Sequence, residues 1–212
     1  MRTETTTITL YKFDELSPEA QQHALEEWAR FETEDFNSEF VFDDAATIAD
    51  LFGLDIRQTR KTRMNGEHHY APTIYYSGFC SQGDGACFTG FYSYKPGALK
   101  AVKEYASEDK ELHRIVTALH EIQRKNFYQL TAMCKHSGHY YHSGCMSVDV
   151  ERSDDKEMIE DADETVKECL RDFADWIYKQ LENEYDYRTS EEACREAIEA
   201  NDYEFTEKGD LA

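Results

Sequence analysis

Apolar residues recur three and four positions apart through several stretches of this chain, a spacing that gathers them on one face of a helix. Leu112, Ile115, Leu119 and Ile122 set the pattern after Ser107, which is placed to cap the helix. Ala24, Leu25, Trp28 and Phe31 repeat it behind Ser17-Pro18, a cap residue followed by proline at the first helical position. A second helix is expected through Ala45, Ile48, Leu51 and Phe52, with Asp43 or Asp44 as its cap and Gly53 as its left-handed stop. Ala98–Tyr105 makes a short helix after the break at Lys95-Pro96-Gly97. The longest helix is expected to open at Ser153-Asp154-Asp155 and to bury Ala162, Val166, Leu170, Phe173, Ile177 and Leu181. Thr189 and Glu192 match a capping box for a last helix through Ala193, Ala197 and Ile198.

Other stretches alternate, or mass β-branched and aromatic side chains, as strands do. Thr3 to Phe13 reads as a first strand, and Asp55 to Arg63 as a basic one that Met64-Asn65-Gly66-Glu67 turns toward Thr73. Thr73 to Tyr94 is the centre of the pattern. Thr73, Ile74, Tyr75, Tyr76 and Phe79 form one arm of a hairpin; Phe88, Thr89, Phe91, Tyr92 and Tyr94 form the other. Gly83-Asp84-Gly85 tolerates the positive φ that the reversal needs. Leu130 to Cys134 and the alternating Met146, Val148 and Val150 flank a second hairpin around His136 to Cys145, and Tyr203 to Thr206 adds a short strand. The predicted fold is α+β: an antiparallel sheet of about four to six strands built on two hairpins, covered by helices that include one long acidic C-terminal helix. With 212 residues and no internal linker, a single domain over 1–212 is expected.

Charge adds most to this picture. Lys and Arg number 23 against 44 Asp and Glu, a formal net charge of −21. Residues 1–55 hold 14 acids and 3 bases, residues 151–212 hold 22 and 8, and residues 56–150 hold 8 and 12, with seven of the eight histidines. So acidic a chain repels nucleic acid unless a local basic face outweighs the rest. Arg57, Arg60, Lys61 and Arg63 are the one basic cluster, and they are expected to pair with the chain's own acidic helices. Direct nucleic-acid binding is therefore not expected. The sequence has no run of eighteen apolar residues, so no membrane partner is expected, and Met1 to Leu10 lacks the apolar core of a secretory signal. Six cysteines without a secreted framework point to reduced thiols and a cytoplasmic location.

The candidate chemistry lies in two places. His136, His139, His142 and Cys145 fall three apart, but zinc wants four N or S ligands around one point, and strand positions an odd number apart face opposite sides. A metal would need the turn to rearrange them, or His136 or His142 to join Cys134 or Cys80. A nucleophile reading takes Cys145 or Cys80 with His142 as base and Asp84 as orienting group. The simpler reading lets Ser137-Gly138 and Ser143-Gly144 admit close aromatic packing, while Gln82, Asp84, His136, His139, His142 and Cys145 line a polar groove. No catalytic residue, cofactor or metal is assigned. The second place is the outer side of the long helix, where Asp161, Glu164, Glu168, Asp172 and Asp175 offer an acidic contact surface.

Four stretches, IYYSGFCSQGDGACF, ELHRIVTALHEIQRKNFYQL, KHSGHYYHSGCMSVDVE and LRDFADWIYKQLENEYDY, together with the NDYEFTEKG tail, resemble a family of small acidic proteins from bacteriophages, prophages and other mobile elements. Members of that family often carry the label "antitoxin of toxin–antitoxin stability system". The resemblance carries over no catalytic motif. It implies action in a host bacterial cell, and with the charge it suggests a non-enzymatic inhibitor. Its acidic surface would bind a basic, nucleic-acid-binding host defence protein, as a mimic of nucleic acid. Two alternatives stand beside it: an antitoxin that neutralises a toxin by direct contact, and a metal-binding or Cys/His enzyme centred on the two hairpins. Self-association is left open.

Overall fold

The computed structural model describes residues 9–63, 66–159 and 161–212. Among them are six α-helices: α1 (Pro18–Glu34), α2 (Glu39–Phe52), α3 (Ala98–Tyr105), α4 (Lys110–Lys125), α5 (Ala162–Arg188) and α6 (Glu191–Ala200). The strands are β1 (Leu54–Ile56), β2 (Gln58–Thr62), β3 (His68–Pro72), β4 (Ile74–Tyr76), β5 (Ala86–Phe88), β6 (Gly90–Ser93), β7 (Leu130–His136) and β8 (Met146–Arg152). The fold is α+β. Contacts divide the chain into two compact units, Ser38–Leu181 and a smaller one made of Met1–Asn37 with Glu182–Ala212.

The larger unit holds an antiparallel sheet in the order β1-β6-β7-β8, with β2-β3 and β4-β5 as separate two-stranded ladders. Period-two alternation covers one face of the main sheet only. Leu54, Ile56, Tyr92, Leu130, Ala132, Cys134, Met146, Val148 and Val150 are buried, while Asp55, Phe91, Met133, Lys135, Asp149 and Glu151 are exposed. The expected apolar stripe of α5 is buried throughout the larger unit, as are Leu112, Ile115, Leu119 and Ile122 of α4. Phe173 sits at the centre, its ring 4.9 Å from Phe52, 5.9 Å from Phe88 and 5.6 Å from Trp176. Buried amides tie the end of α4 to β7. Gln123 donates to the Leu130 carbonyl at 2.8 Å and accepts from its N–H at 3.2 Å.

The hairpin over Thr73 to Tyr94 is real but shorter than its sequence suggests. Its second arm splits at Thr89, whose N–H donates to the Thr73 carbonyl and whose carbonyl accepts from Arg57. β5 therefore pairs with β4, and β6 leaves to pair with β1 and β7. The basic strand is β2, and its partner is β3 rather than the Thr73 strand. Met64 and Asn65 of the expected turn lie outside the described residues, as does the Thr3–Ile8 part of the expected first strand. Of the remainder, Tyr11 makes an isolated bridge to Phe205 and Phe13–Glu15 forms a 3-10 turn.

The smaller unit packs Phe13, Leu16, Ala20, Ala24, Leu25, Cys194, Ile198 and Phe205 into its own core. Ser17 caps α1 as expected, accepting from Ala20 N. Phe31, expected in the buried stripe, is instead 53 % exposed, because that core ends at Trp28.

Helix starts differ where several polar residues compete for the cap. α2 begins at Glu39, since Phe42 is buried and draws an extra turn into the helix. Asp109, not Ser107, caps α4 by accepting from Leu112 N at 2.9 Å. Ser190, not Thr189, caps α6, while Thr189 donates to the Tyr185 carbonyl. Ser153 to Asp155 do not open α5. Arg152, whose side chain is 6 % exposed, donates to Asp154 through Nε and Nη2 at 2.8 Å each, and Asp155 takes a left-handed φ of 54°.

That ion pair gives a pH signature. The Arg152 hydrogen bonds hold the Asp154 carboxyl at about 2, below its ordinary 3.8. The fold favours the charged form. Its contribution is complete above the unfolded value and is lost as pH falls from 3.8 through about 2. Thermal melts of the wild type and Asp154→Asn should differ by a constant amount above about pH 5, draw together below about pH 4 and converge only near pH 2. A difference that does not change with pH contradicts this assignment.

Candidate functional site

The turn between β7 and β8 folds back against β4 and β5. Tyr75 of β4 lies 5.2 Å from the His136 ring and stacks on Tyr141 at 5.5 Å with 11° between planes, and His136 and Tyr141 are 5.1 Å apart. Gly85 permits this approach: a Cβ there would come within 2.6 Å of His142 Cβ and 2.8 Å of its Cα. Of the glycines expected to admit close aromatic packing, Gly144 lies against the His142 ring, where an added Cβ would come within 3.0 Å, whereas Gly138 has nothing within 4 Å.

Of the proposed polar groove, only part is brought together. His142 Nε2 lies 3.3 Å from Cys145 Sγ, across a 3-10 turn at Ser143–Cys145. His136 Nε2 instead meets the Tyr140 carbonyl at 3.0 Å, and His139 is exposed. Asp84 does not orient an imidazole. Its Oδ2 accepts from Ser81 N at 2.7 Å and Cys80 N at 3.1 Å, closing the loop on which Gln82 is exposed. Asp175 of α5, which the sequence marked only as a surface acid, is close enough to Ser143 and His142 for both to lower its carboxyl's affinity for a proton. Partial desolvation raises its carboxyl above the ordinary range. The Ser143 hydrogen bond opposes that rise, Asp172 adds to it and His142 opposes it. No spacing rule could link positions 142 and 175; only the packed fold does. Among the described residues, no group of three or more His, Cys, Asp or Glu is arranged to hold a metal ion.

All six cysteines are free thiols. Burial pushes Cys87, Cys134 and Cys169 up to about 12, and raises Cys194 too. With a chromogenic disulfide reagent at about pH 8, exposed Cys80 should react first and half-buried Cys145 next. The four buried thiols should react only after denaturant is added. A fast class of three or more thiols contradicts the packing described above.

The acidic stripe is better formed. Glu164, Glu168, Asp172 and Asp175 fall within an arc of about 80° along about 16 Å of α5. Glu164 and Glu168 are exposed and form no ion pair among the described residues. Asp172 is bound by Arg114 at 2.6 Å and so carries a counterion that Glu164 and Glu168 lack among the described residues. Asp161 stands just before the helix at φ 69°, with its carbonyl accepting from Thr165.

The smaller unit is denser in acid still. Residues 1–37 and 182–212 hold 20 acids and 6 bases, −14 of the net −21. Four of its six cations are engaged: Lys12 with Asp202 and Glu204, Arg30 with Glu27, Arg188 with Glu32 and Arg195 with Glu191. Glu192, Glu196 and Glu199 share one exposed face of α6, and Asp14, Glu19 and Asp35 are exposed in the N-terminal part of the same unit. None of these six forms an ion pair among the described residues.

The basic cluster departs from expectation. Arg57, Arg60, Lys61 and Arg63 are all exposed, and among the described residues none pairs with an acidic helix. All four lie in or beside β2 and face outward, so among the described residues the expected internal neutralisation is not found.

Residues 38–191 match the family model of a domain of unknown function, DUF8835, and the chain belongs to that family. No curated protein and no solved structure matches it. No helix among the described residues is long and apolar enough to cross a membrane.

Proposed function

We propose that this is a non-enzymatic acidic protein of a phage or other mobile element. It binds a basic, nucleic-acid-handling host defence protein and occupies the surface that nucleic acid would use. The observation that carries the reading is the unspent carboxylates on two helix faces, one in each unit. Among the described residues the faces of α5 and α6 present Glu164, Glu168, Glu192, Glu196 and Glu199 without ion pairs, while four of the smaller unit's six cations are taken by other acids. Complementary charge of this kind speeds encounter and makes binding sensitive to salt.

Affinity capture from host lysate tests it, with the wild type and a variant carrying Gln at those five positions as baits. The comparison is made at about 0.1 M and about 1 M salt, where the Debye length falls from about 10 Å to about 3 Å. The wild type should retain basic nucleic-acid-handling proteins at low salt, and both high salt and the variant should release them. Capture of no such protein, or equal capture by the variant, defeats the proposal.

The same carboxylates would serve an antitoxin that masks its toxin by direct contact. A neighbouring toxic gene silenced by co-expression would favour that version. A Cys/His enzyme is supported by the 3.3 Å contact between Cys145 and His142, with Asp175 close to the imidazole. An unreactive Cys145 in the thiol titration would remove that support.

A further inference from the structure

Arg57, Arg60, Lys61 and Arg63, in and beside β2, are four exposed cations within seven positions that pair with no acid among the described residues. Every residue of β2 is exposed. Arg60 stands directly across the ladder from Tyr70, whose ring is 72 % exposed. Arg57, at the foot of the arm, borders an open groove of about 500 Å³ that Gln58, Phe91, Met133 and Lys135 also line, with Asp55 as its one acid. Phe91 is 42 % exposed on the uncovered face of the main sheet.

We infer that the β2–β3 arm and this groove form a binding surface for single-stranded nucleic acid. Guanidinium groups without counterions suit phosphates, and exposed rings on flat antiparallel strands give unpaired bases a stacking platform. An acidic polypeptide would use the cations but gain little from Tyr70 and Phe91. A duplex keeps its bases stacked on one another and could not use the rings in this way. The overall charge of −21 opposes binding, yet residues 56–150 carry 12 bases against 8 acids, and salt screens charges beyond about 10 Å. The inference is independent of the acidic faces of α5 and α6, so either can fail while the other stands.

Fluorescence anisotropy with labelled oligo-U and oligo-dT of about 12 nucleotides tests it on the full chain. Contacts from the four cations predict a slope of log affinity against log salt of about −2.8, which is roughly a fifty-fold loss between 50 and 200 mM salt. The double variant Arg57→Ala with Arg60→Ala should bring the slope to about −1.4. Tyr70→Ala should weaken binding about five-fold or more and leave the slope unchanged. All three side chains are exposed, and circular dichroism confirms that the variants fold. No binding at 50 mM salt, unaltered affinity in both variants, or tighter binding of poly-glutamate than of either oligonucleotide would each overturn the inference.

Discussion

Phe173→Ala is expected to destabilise the protein by about 3–5 kcal/mol, the range for removing a fully buried aromatic side chain from a packed core. The ring is 0 % exposed and touches Phe52 of α2, Phe88 of β5 and Trp176 one turn along α5. It therefore joins three elements that are distant in sequence. Two of the contacts are edge-to-face, at 84° and 68°, a geometry that adds to simple area burial. Domains of this size are stable by only about 5–15 kcal/mol, so the variant should sit near the limit of folding. Urea denaturation followed by circular dichroism measures the loss. Phe91→Ala, which removes an exposed ring, is the control and should shift stability by no more than about 0.5 kcal/mol. A loss below about 1 kcal/mol for Phe173→Ala would mean that the core is not organised around this ring.

Gly53→Ala should cost at least about 2 kcal/mol. Gly53 ends α2 in the left-handed region at φ 93°, where an L side chain is strained by about 1–2 kcal/mol. Strain is the smaller part of the effect. A Cβ at this position would lie 2.1 Å from the Ser93 carbonyl oxygen, which is backbone and cannot rotate away. Relief would require moving β6 off β1, breaking the 2.9 Å bond from Ser93 N to the Gly53 carbonyl and disturbing the pairing of Leu54 with Tyr92. Gly97→Ala separates the two causes. Its φ is 83° but nothing lies within 4 Å of the added carbon, so it should cost only the strain. Equal losses for the two variants would show that the close approach of β6 carries no weight.

The helical stripes of α4 and α5 and the alternation of β8 were legible because burial itself imposes their periods on the sequence. Cap positions were not, and the reason is local abundance. An acid-rich chain offers several Ser and Asp residues at every boundary, and tertiary contacts choose among them. Buried Phe42 moved one helix start earlier, and Arg152 took Asp154 away from another. The split at Thr89 depends on hydrogen bonds to Thr73 and Arg57, which no local pattern encodes. The candidate chemistry divided in the same way. Cys145 and His142 are close in sequence, and their turn brings them together, whereas Asp175 reaches His142 only through the packing of α5. The acidic faces could be read from spacing, but not the loss of Asp172 to Arg114. Nor could composition show that Arg57, Arg60, Lys61 and Arg63 stand without acidic partners.

The claim that exposed carboxylates stand in for nucleic acid is tested most directly by displacement. The basic protein retained at low salt is purified, loaded with labelled nucleic acid and titrated with this chain. The chain carries Arg57→Ala, Arg60→Ala, Lys61→Ala and Arg63→Ala, which removes all four cations by which its own basic arm would hold the label. Release of the nucleic acid as one equivalent is added, abolished when Glu164, Glu168, Glu192, Glu196 and Glu199 are Gln, is the predicted result. A ternary complex that keeps its nucleic acid bound, or release that survives the five substitutions, would contradict the account.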